Sequence, residues 1–248
     1  MTVVPEVPFT RVAGRVQRNW QPIEANPHMA LFAQTRGGKS HLIRHGLLPL
    51  VPLARVVVID VKPGGDLTWH GWGHDVTELA HGFGLSPTGW PRYRIRVQPG
   101  ADGSAQVRRV LEQIAAEGEA VLVIDDARRV TDQHAPGLGL GHVVDHLLLE
   151  GAGLGVTVIL GANSTAWATS SLKDQCGVIW IGHTRSGEQR DKFADLAGLP
   201  KAARPALDNI APRHWLYTDY AGEELALALT YPPADPAAAP ARVFLPPG

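Results

Sequence analysis

The residues best placed to do chemistry lie together in "FAQTRGGKSHLIRHGLL", residues 32–48. A lysine and a hydroxyl follow a pair of glycines directly: Gly37, Gly38, Lys39, Ser40. This is the spacing of a phosphate-binding loop, Gly-x4-Gly-Lys-Ser/Thr, except that Ala33 takes the place of the first glycine. In such a loop successive backbone N–H groups wrap the phosphates, here those over Thr35, Arg36, Gly37, Gly38, Lys39, Ser40 and His41. The positive end of the following helix assists them. Lys39 then reaches the β- and γ-phosphates of ATP, and Ser40 ligates Mg2+. The first glycine matters least to that chemistry, because backbone groups contact phosphate and alanine adopts many of the same conformations. The bland alternative is a glycine turn ahead of an ordinary helix.

A phosphate loop needs a Mg2+-organising carboxylate at the end of a neighbouring strand. "VLVIDD" (121–126) supplies Asp125 and Asp126. Asp125 is assigned to the Mg2+ and its water shell, and Asp126 to polarising the attacking water. A helix N-cap or turn aspartate is the competing explanation, and it fits Asp126 better than Asp125. "VVVIDVKPGGD" (56–66) offers a rival carboxylate, Asp60, one strand earlier.

These groups require strands to carry them. "HMALFAQ" (28–34) reads as a short apolar strand and "GKSHLIRHGLL" as the start of a helix. "RVVVID" (55–60) and "AVLVIDD" (120–126) are near-continuous apolar runs, the pattern of strands buried on both faces. "YRIRVQ" (93–98), "GVTVILGAN" (155–163), "GVIWIGH" (177–183) and "HWLYTDY" (214–220) are further strands, and "ELALALTY" (224–231) closes a hairpin. Val107, Val110, Leu111 and Ile114 follow helical spacing, as do Leu140, Val143, Val144, Leu147 and Leu148. Residues 64–91, rich in Gly, Trp and His, read as loops and short elements. Strands alternating with helices predict an α/β fold with a largely parallel central sheet. The acidic strand comes two strand–helix units after the loop. That order fits the additional-strand class of RecA-like P-loop NTPase cores, in which a further strand separates the loop strand from the Mg2+ strand.

Composition narrows the function. Charge is balanced, 23 basic against 24 acidic residues, and no basic run announces a carpet of phosphate contacts. A few contacts inside a ring remain compatible with it. The single cysteine, Cys176, rules out an internal disulfide framework and suits a reducing cytoplasm. No apolar run reaches the ~20 residues that span a bilayer, and the N-terminus lacks signal-peptide anatomy. A cytoplasmic location is therefore expected. The segments divide into an N-terminal arm (1–27), a motor domain (28–231) and a Pro/Ala-rich tail (232–248). "HGWGH" (70–74) has loose metal-like spacing without a cysteine or carboxylate cluster beside it. Trp69, Trp72 and Trp90 either stack on bases or pack beneath a long loop.

The motifs, taken in order, resemble the FtsK/HerA-type DNA-pumping ATPases. "EANPHMALFAQTRGGKSHLIRHGLL" is similar to that family's loop region, "RVVVIDVKPGGDL" to its second strand, and "AVLVIDDA" to its Mg2+ strand. "GAGLGVTVILGANST" is similar to its sensor strand, and "CGVIWIGHTRSGEQRDKFADLAGL" to the strand and helix that follow. The match is collinear over about residues 20–231. Asp126 stands where the family usually has glutamate and Asn163 where it has the sensor glutamine, and an arginine common before the sensor strand is absent. The resemblance implies a ring, hexameric in this family, that hydrolyses ATP to move double-stranded DNA through its pore. It also implies partners such as a capsid portal or a membrane pore protein. Asn163 becomes a candidate for the γ-phosphate or water, against a strand-end turn residue. Arg185 and Arg190 become candidate arginine fingers for a neighbouring subunit's nucleotide, against solvated arginines at a helix start. Lys62 supports Asp60, approaches the nucleotide, or is a surface lysine. A protein-secretion motor of the same superfamily and a nucleotide-dependent assembly module that barely hydrolyses ATP are the rival readings.

Overall fold

A strand covered on both faces must be apolar at nearly every position, and the chain supplies several such runs. In a computed structural model of the protein, four of them are buried end to end. They are β2 (Met29–Phe32), β6 (Ala120–Ile124), β7 (Val156–Ala162) and β8 (Val178–Gly182). β3 (Arg55–Asp60) is buried throughout as well, including its charged ends. The structure describes residues 6–7, 28–50, 55–62, 67–70, 72, 74–76, 92–97, 101–133, 137–165, 170–208, 210–219 and 224–228. Most of the N-terminal arm, Trp90 and the tail from 232 lie outside the described residues.

The strands form one ten-stranded sheet. The remaining members are β1 (Glu6–Val7), β4 (His74–Val76), β5 (Arg92–Arg96), β9 (Trp215–Asp219) and β10 (Glu224–Ala228). Their order across the sheet is β1-β10-β9-β8-β2-β7-β6-β3-β5-β4. From β8 to β4 every neighbouring pair is parallel. β9 runs antiparallel to β8, and β10 returns along it as the expected hairpin. β7 separates β2 from β6, as the order of motifs requires. The chain thus has a RecA-like P-loop NTPase core of the additional-strand class.

Alternation along the strands sends side chains to two core layers. Ala30 and Phe32 of β2 join one layer, while Met29, Leu31 and Ala33 join the other. The first layer is closed by α2 (Ala101–Glu117) and α4 (Gly141–Glu150). Val107, Val110, Leu111 and Ile114 of the one, and Val143, Val144, Leu147 and Leu148 of the other, face inward as their spacing predicts. Between them lies α3 (Ala127–Thr131). After β7 come α5 (Ser170–Gln175), α6 (Gly187–Leu196) and α7 (Pro205–Asp208). Phe193 of α6 packs on Phe32 with ring centroids 5.1 Å apart, which ties α6 to the loop strand.

The helix after the loop departs from the sequence expectation. α1 (Lys39–His41) widens at once into a π-helical segment, Leu42–Leu47, and ends in a 3-10 turn, Leu48–Leu50. The buried pairs Leu42/Leu47 and Ile43/Leu48 recur at five residues, and the Leu48 N–H donates to the Ile43 carbonyl across the same interval. That spacing suits i→i+5 bonding rather than the α pattern. Pro49 has no N–H to continue the ladder. Among the described residues no helix is long and apolar enough to cross a membrane.

His28 locks the start of β2. It is buried, its Nδ1 accepts the Val158 N–H at 3.0 Å, and its Nε2 lies 3.1 Å from the Leu148 carbonyl. These roles require the neutral ring with its proton on Nε2. Burial lowers its pKa from the ordinary 6.5 to about 4, partly opposed by the Leu148 carbonyl. Above the ordinary value both folded and unfolded chains hold the ring neutral, and the contribution to stability is complete. As pH falls from there towards the folded value, the unfolded chain takes up a proton that the folded chain does not, and stability is lost. The loss is on the order of 3 kcal/mol across that window. Urea unfolding at about pH 7 and about pH 5 should therefore show a smaller pH-dependent loss in His28→Gln than in the parent. Equal losses would remove His28 as the source.

Candidate functional site

The loop leaves β2 between its two parallel neighbours. The Ala33 N–H donates to Ala162 of β7 at 3.1 Å, and the Gln34 N–H donates to His183, just past β8, at 3.2 Å. The chain then folds over itself, with Gly37 N–H donating to the Gln34 carbonyl at 2.9 Å. A Cβ at Gly37 would lie 2.8 Å from both the Ala33 Cβ and the Gln34 oxygen, so only glycine fits. Arg36 and Gly38 adopt positive φ, 63° and 92°, which turns the backbone into α1. Ala33 keeps its methyl because a second glycine leaves room for it. A Cβ at Gly182 of β8 would lie 3.0 Å from the Ala33 Cβ and 2.8 Å from Cζ3 of Trp215. The glycine absent from position 33 is offset by one on the neighbouring strand, a pairing that sequence order hides.

Asp125 follows β6 and is almost wholly buried at 2% exposure. Ser40 Oγ donates to it, 2.9 Å from Oδ1 and 2.7 Å from Oδ2. Lys62 Nζ reaches Oδ2 at 2.9 Å, and the Trp69 indole N–H donates to the same oxygen at 3.0 Å. Three donors, Ser40, Lys62 and Trp69, therefore converge on one carboxylate. Lys39 lies across the loop, its Nζ donating to the carbonyls of Ala33 at 2.7 Å and Gln34 at 3.1 Å. The Ser40 hydroxyl and the Asp125 carboxylate are hard oxygen donors of the type Mg2+ takes, and the Lys62 ammonium lies beside them. Among the described residues no group of three or more His, Cys, Asp or Glu is gathered for a metal; "HGWGH" lies partly outside them.

Asp126 is the N-cap residue of α3, yet its side chain makes no capping bond. Its carboxylate lies 3.3 Å from Arg129 Nε. Burial raises its pKa above the usual carboxylate value. Asp125 adds to that rise, while Arg129, Lys62 and Lys39 oppose it. The rival carboxylate, Asp60, is committed elsewhere. Arg94 grips its Oδ2 with Nε at 3.1 Å and NH2 at 2.7 Å, both residues buried. The Lys62 N–H donates to Asp60 Oδ1 at 3.4 Å.

The other sequence candidates divide. Asn163, at the end of β7, places Nδ2 3.5 Å from the Thr35 hydroxyl, beside the loop. Arg185 is exposed, and its backbone N–H donates to Gln34 Oε1 at 3.3 Å. Arg190 is held within its own subunit, with Nε 3.1 Å from Asp208 and NH1 donating to the Thr184 carbonyl. His41 stacks on His45, with centroids 4.4 Å apart, on the helix behind the loop. Trp69 and Trp72 are buried, so packing and not base stacking is their role. Sequence reasoning missed the bond from Trp69 to Asp125. It also missed the clamp that aims it: Arg44 NH1 donates to the carbonyls of Thr68 and His70, and Arg94 NH1 to that of Trp69 at 3.2 Å. A tryptophan in a glycine- and histidine-rich segment gives no periodic signal that would have found it.

No protein-family model matches the chain, and no curated protein matches its sequence. Solved structures share its fold. The genome packaging NTPase B204 from Sulfolobus turreted icosahedral virus 2, in complex with sulfate, aligns with a TM-score of 0.61 at 16% identity. The alignment covers 85% of this chain and 98% of that one. VirB4 of Thermoanaerobacter pseudethanolicus aligns with a TM-score of 0.59 at 13% identity, over 85% of this chain and 90% of that one. EssC (ATPases 2 and 3) from Geobacillus thermodenitrificans aligns with a TM-score of 0.54 at 13% identity, over 84% and 40%. At these identities the likeness establishes the architecture and nothing finer.

Trp69→Phe keeps a buried ring but removes one donor from a buried carboxylate. A loss of about 1–3 kcal/mol is expected. Urea unfolding of the purified chain checks it, and an unchanged midpoint would show that the indole bond does not hold Asp125.

Proposed function

We propose that this chain is an ATP-driven motor of the FtsK/HerA type, which moves double-stranded DNA through a ring of its own copies. The observation that carries the reading is the Ser40–Asp125 bond. It joins the first turn after a phosphate-type loop to an acidic strand end, across an intervening strand. The fold shared with a protein named as a genome packaging NTPase supports the cargo. Partners at the ring's mouth would be a capsid portal or a membrane pore protein, and the ring, a hexamer by this reading, works in the cytoplasm or at a virion.

In this mechanism the backbone over Thr35–His41 cradles the phosphates of ATP. Lys39 exchanges the Ala33 and Gln34 carbonyls for β- and γ-phosphate oxygens. Ser40 and Asp125 would hold Mg2+, which when bound would supply positive charge beside the phosphates. Asp126, unused as a cap, accepts a hydrogen bond from the attacking water and orients it in line with the γ-phosphate. Asn163, beside Thr35, steadies the water or the γ-phosphate from the other side. Arg185, exposed and beside the loop, extends to the nucleotide of the adjacent subunit, where its charge counters that developing in the transition state. Arg190 anchors the same segment through Asp208 and is the second choice for that role.

A protein-secretion or assembly ATPase of the same superfamily is the second reading. What favours it is the charge balance, 23 basic against 24 acidic residues with no basic run. ATP turnover with and without linear double-stranded DNA separates the two. Several-fold stimulation by DNA is expected, and a flat response would favour the second reading. Lys39→Ala should lower turnover by roughly 10²–10³ or more. Asp126→Asn should retain Mg·ATP binding and lose turnover. Turnover in Lys39→Ala equal to the parent would remove the site assignment.

The arginine in trans has its own test. Arg185→Ala alone should bind ATP normally and hydrolyse it slower by on the order of 10³–10⁵. Mixed with Lys39→Ala subunits, it should regain activity that neither variant has alone, because some interfaces then pair an intact loop with an intact arginine. Confirmed mixed rings without recovered activity would move the role to Arg190.

A further inference from the structure

Lys62 occupies a position that the proposed chemistry needs for something else. Its Nζ lies 2.9 Å from Asp125 Oδ2 and 3.4 Å from Ser40 Oγ, the two groups assigned to Mg2+. A Mg2+ ion binds its oxygen ligands at roughly 2.1 Å. An ion on both groups would therefore fall within a few ångströms of the ammonium where it now stands. The two positive charges repel at that distance, and the single negative charge of Asp125 does not neutralise both. Asp125 is buried at 2% exposure, and a buried carboxylate left without a counter-charge is strongly disfavoured. The ammonium and the divalent ion are thus alternatives, each satisfying the same need.

The geometry also gives Lys62 somewhere to go. Its backbone is fixed, because it lies two residues past Asp60, which Arg94 holds in the sheet. Its side chain is 32% exposed, on a flexible four-carbon stem. Asp125 cannot move outward to follow it, being held by Ser40 and Trp69. The ammonium already lies 3.4 Å from Ser40 at the head of the loop's helix, so an anion held by that loop is within the reach of its stem. A nucleotide therefore supplies a new anionic partner for Lys62 in the same event that opens the position for metal.

We propose that Lys62 is the resident counter-ion of the Ser40–Asp125 pair, which holds that position until nucleotide phosphate draws it away and so makes divalent-cation binding conditional on nucleotide. The inference rests on the reading of the loop as a nucleotide site. Free metal then competes poorly for the empty site, and metal and nucleotide bind with positive coupling that is equal in both directions.

Mn2+ is the probe, its binding to the full chain measured by electron paramagnetic resonance, without nucleotide and with the non-hydrolysable analogue AMPPCP. The parent should bind Mn2+ weakly alone and more tightly with AMPPCP. Lys62→Met should bind Mn2+ alone at least about tenfold more tightly, as removal of a like charge at this distance predicts. Its metal–nucleotide coupling should shrink accordingly. Lys62→Arg, which keeps the charge, should behave as the parent, and circular dichroism confirms folding of both. If the parent shows nucleotide-assisted Mn2+ binding but Lys62→Met binds free Mn2+ no better, the counter-ion role is overturned and the site stands. If the parent shows no nucleotide-assisted Mn2+ binding, and Ser40→Ala leaves Mn2+ binding unchanged, the site itself falls and the role of Lys62 with it.

Discussion

Burial of the Asp125 carboxylate is the constraint around which the molecule is arranged. An ionised group at 2% exposure must be met by donors from several directions. The donors come from the helix after the loop, the turn after β3 and the turn at 67–69, and the acceptor from the end of β6. The loop's helix, the stretch from Lys62 to Trp69 and the end of β6 are far apart in sequence. Each must therefore be carried by an element whose own position is fixed by apolar packing. The parallel sheet does this by burying the strands on both faces. Arg44 and Arg94 extend the same logic outward, holding the carbonyls of the Thr68–His70 turn so that the indole N–H points inward.

Order in the sheet is the second consequence. With β7 between β2 and β6, Asp125 does not sit beside the loop strand; the helix after the loop must reach over to it. Ser40 lies in the first turn of that helix and bridges the gap. Asn163, at the end of the intervening strand, is then placed between the two, next to Thr35. The β9–β10 hairpin adds antiparallel strands beyond β8, and Trp215 of β9 packs against the glycine of β8 that accommodates Ala33.

Most of the sheet was legible because its strands are continuous apolar runs, and helices α2 and α4 because their stripes repeat at helical spacing. The glycine turn and the Lys39–Ser40 pair at the head of the helix were legible because their spacing is short-range. What stayed hidden was whatever depends on side chains meeting from distant segments. Asp125 was preferred to Asp60 from sequence, but the pairing of Asp60 with Arg94, a strand away, was not visible there. The three readings of Lys62 were equal in sequence, and only the proximity of Asp125 separates them. The π-helical segment was concealed because Leu42, Ile43, Leu47 and Leu48 also satisfy a looser helical pattern. Base stacking and packing stood as alternatives for Trp69 and Trp72 because segment 64–91 carries no period to reveal what covers it; both are buried.

The packing at Ala33 ties the loop to a strand it does not belong to. A Cβ at position 37 or 182 would crowd the Ala33 methyl, and position 182 is closed further by the Trp215 ring whatever stands at position 33. The methyl thus occupies room that a glycine on β8 leaves open. Residues 33 and 182, distant in sequence, share one small volume, so the effects of changing them should not add.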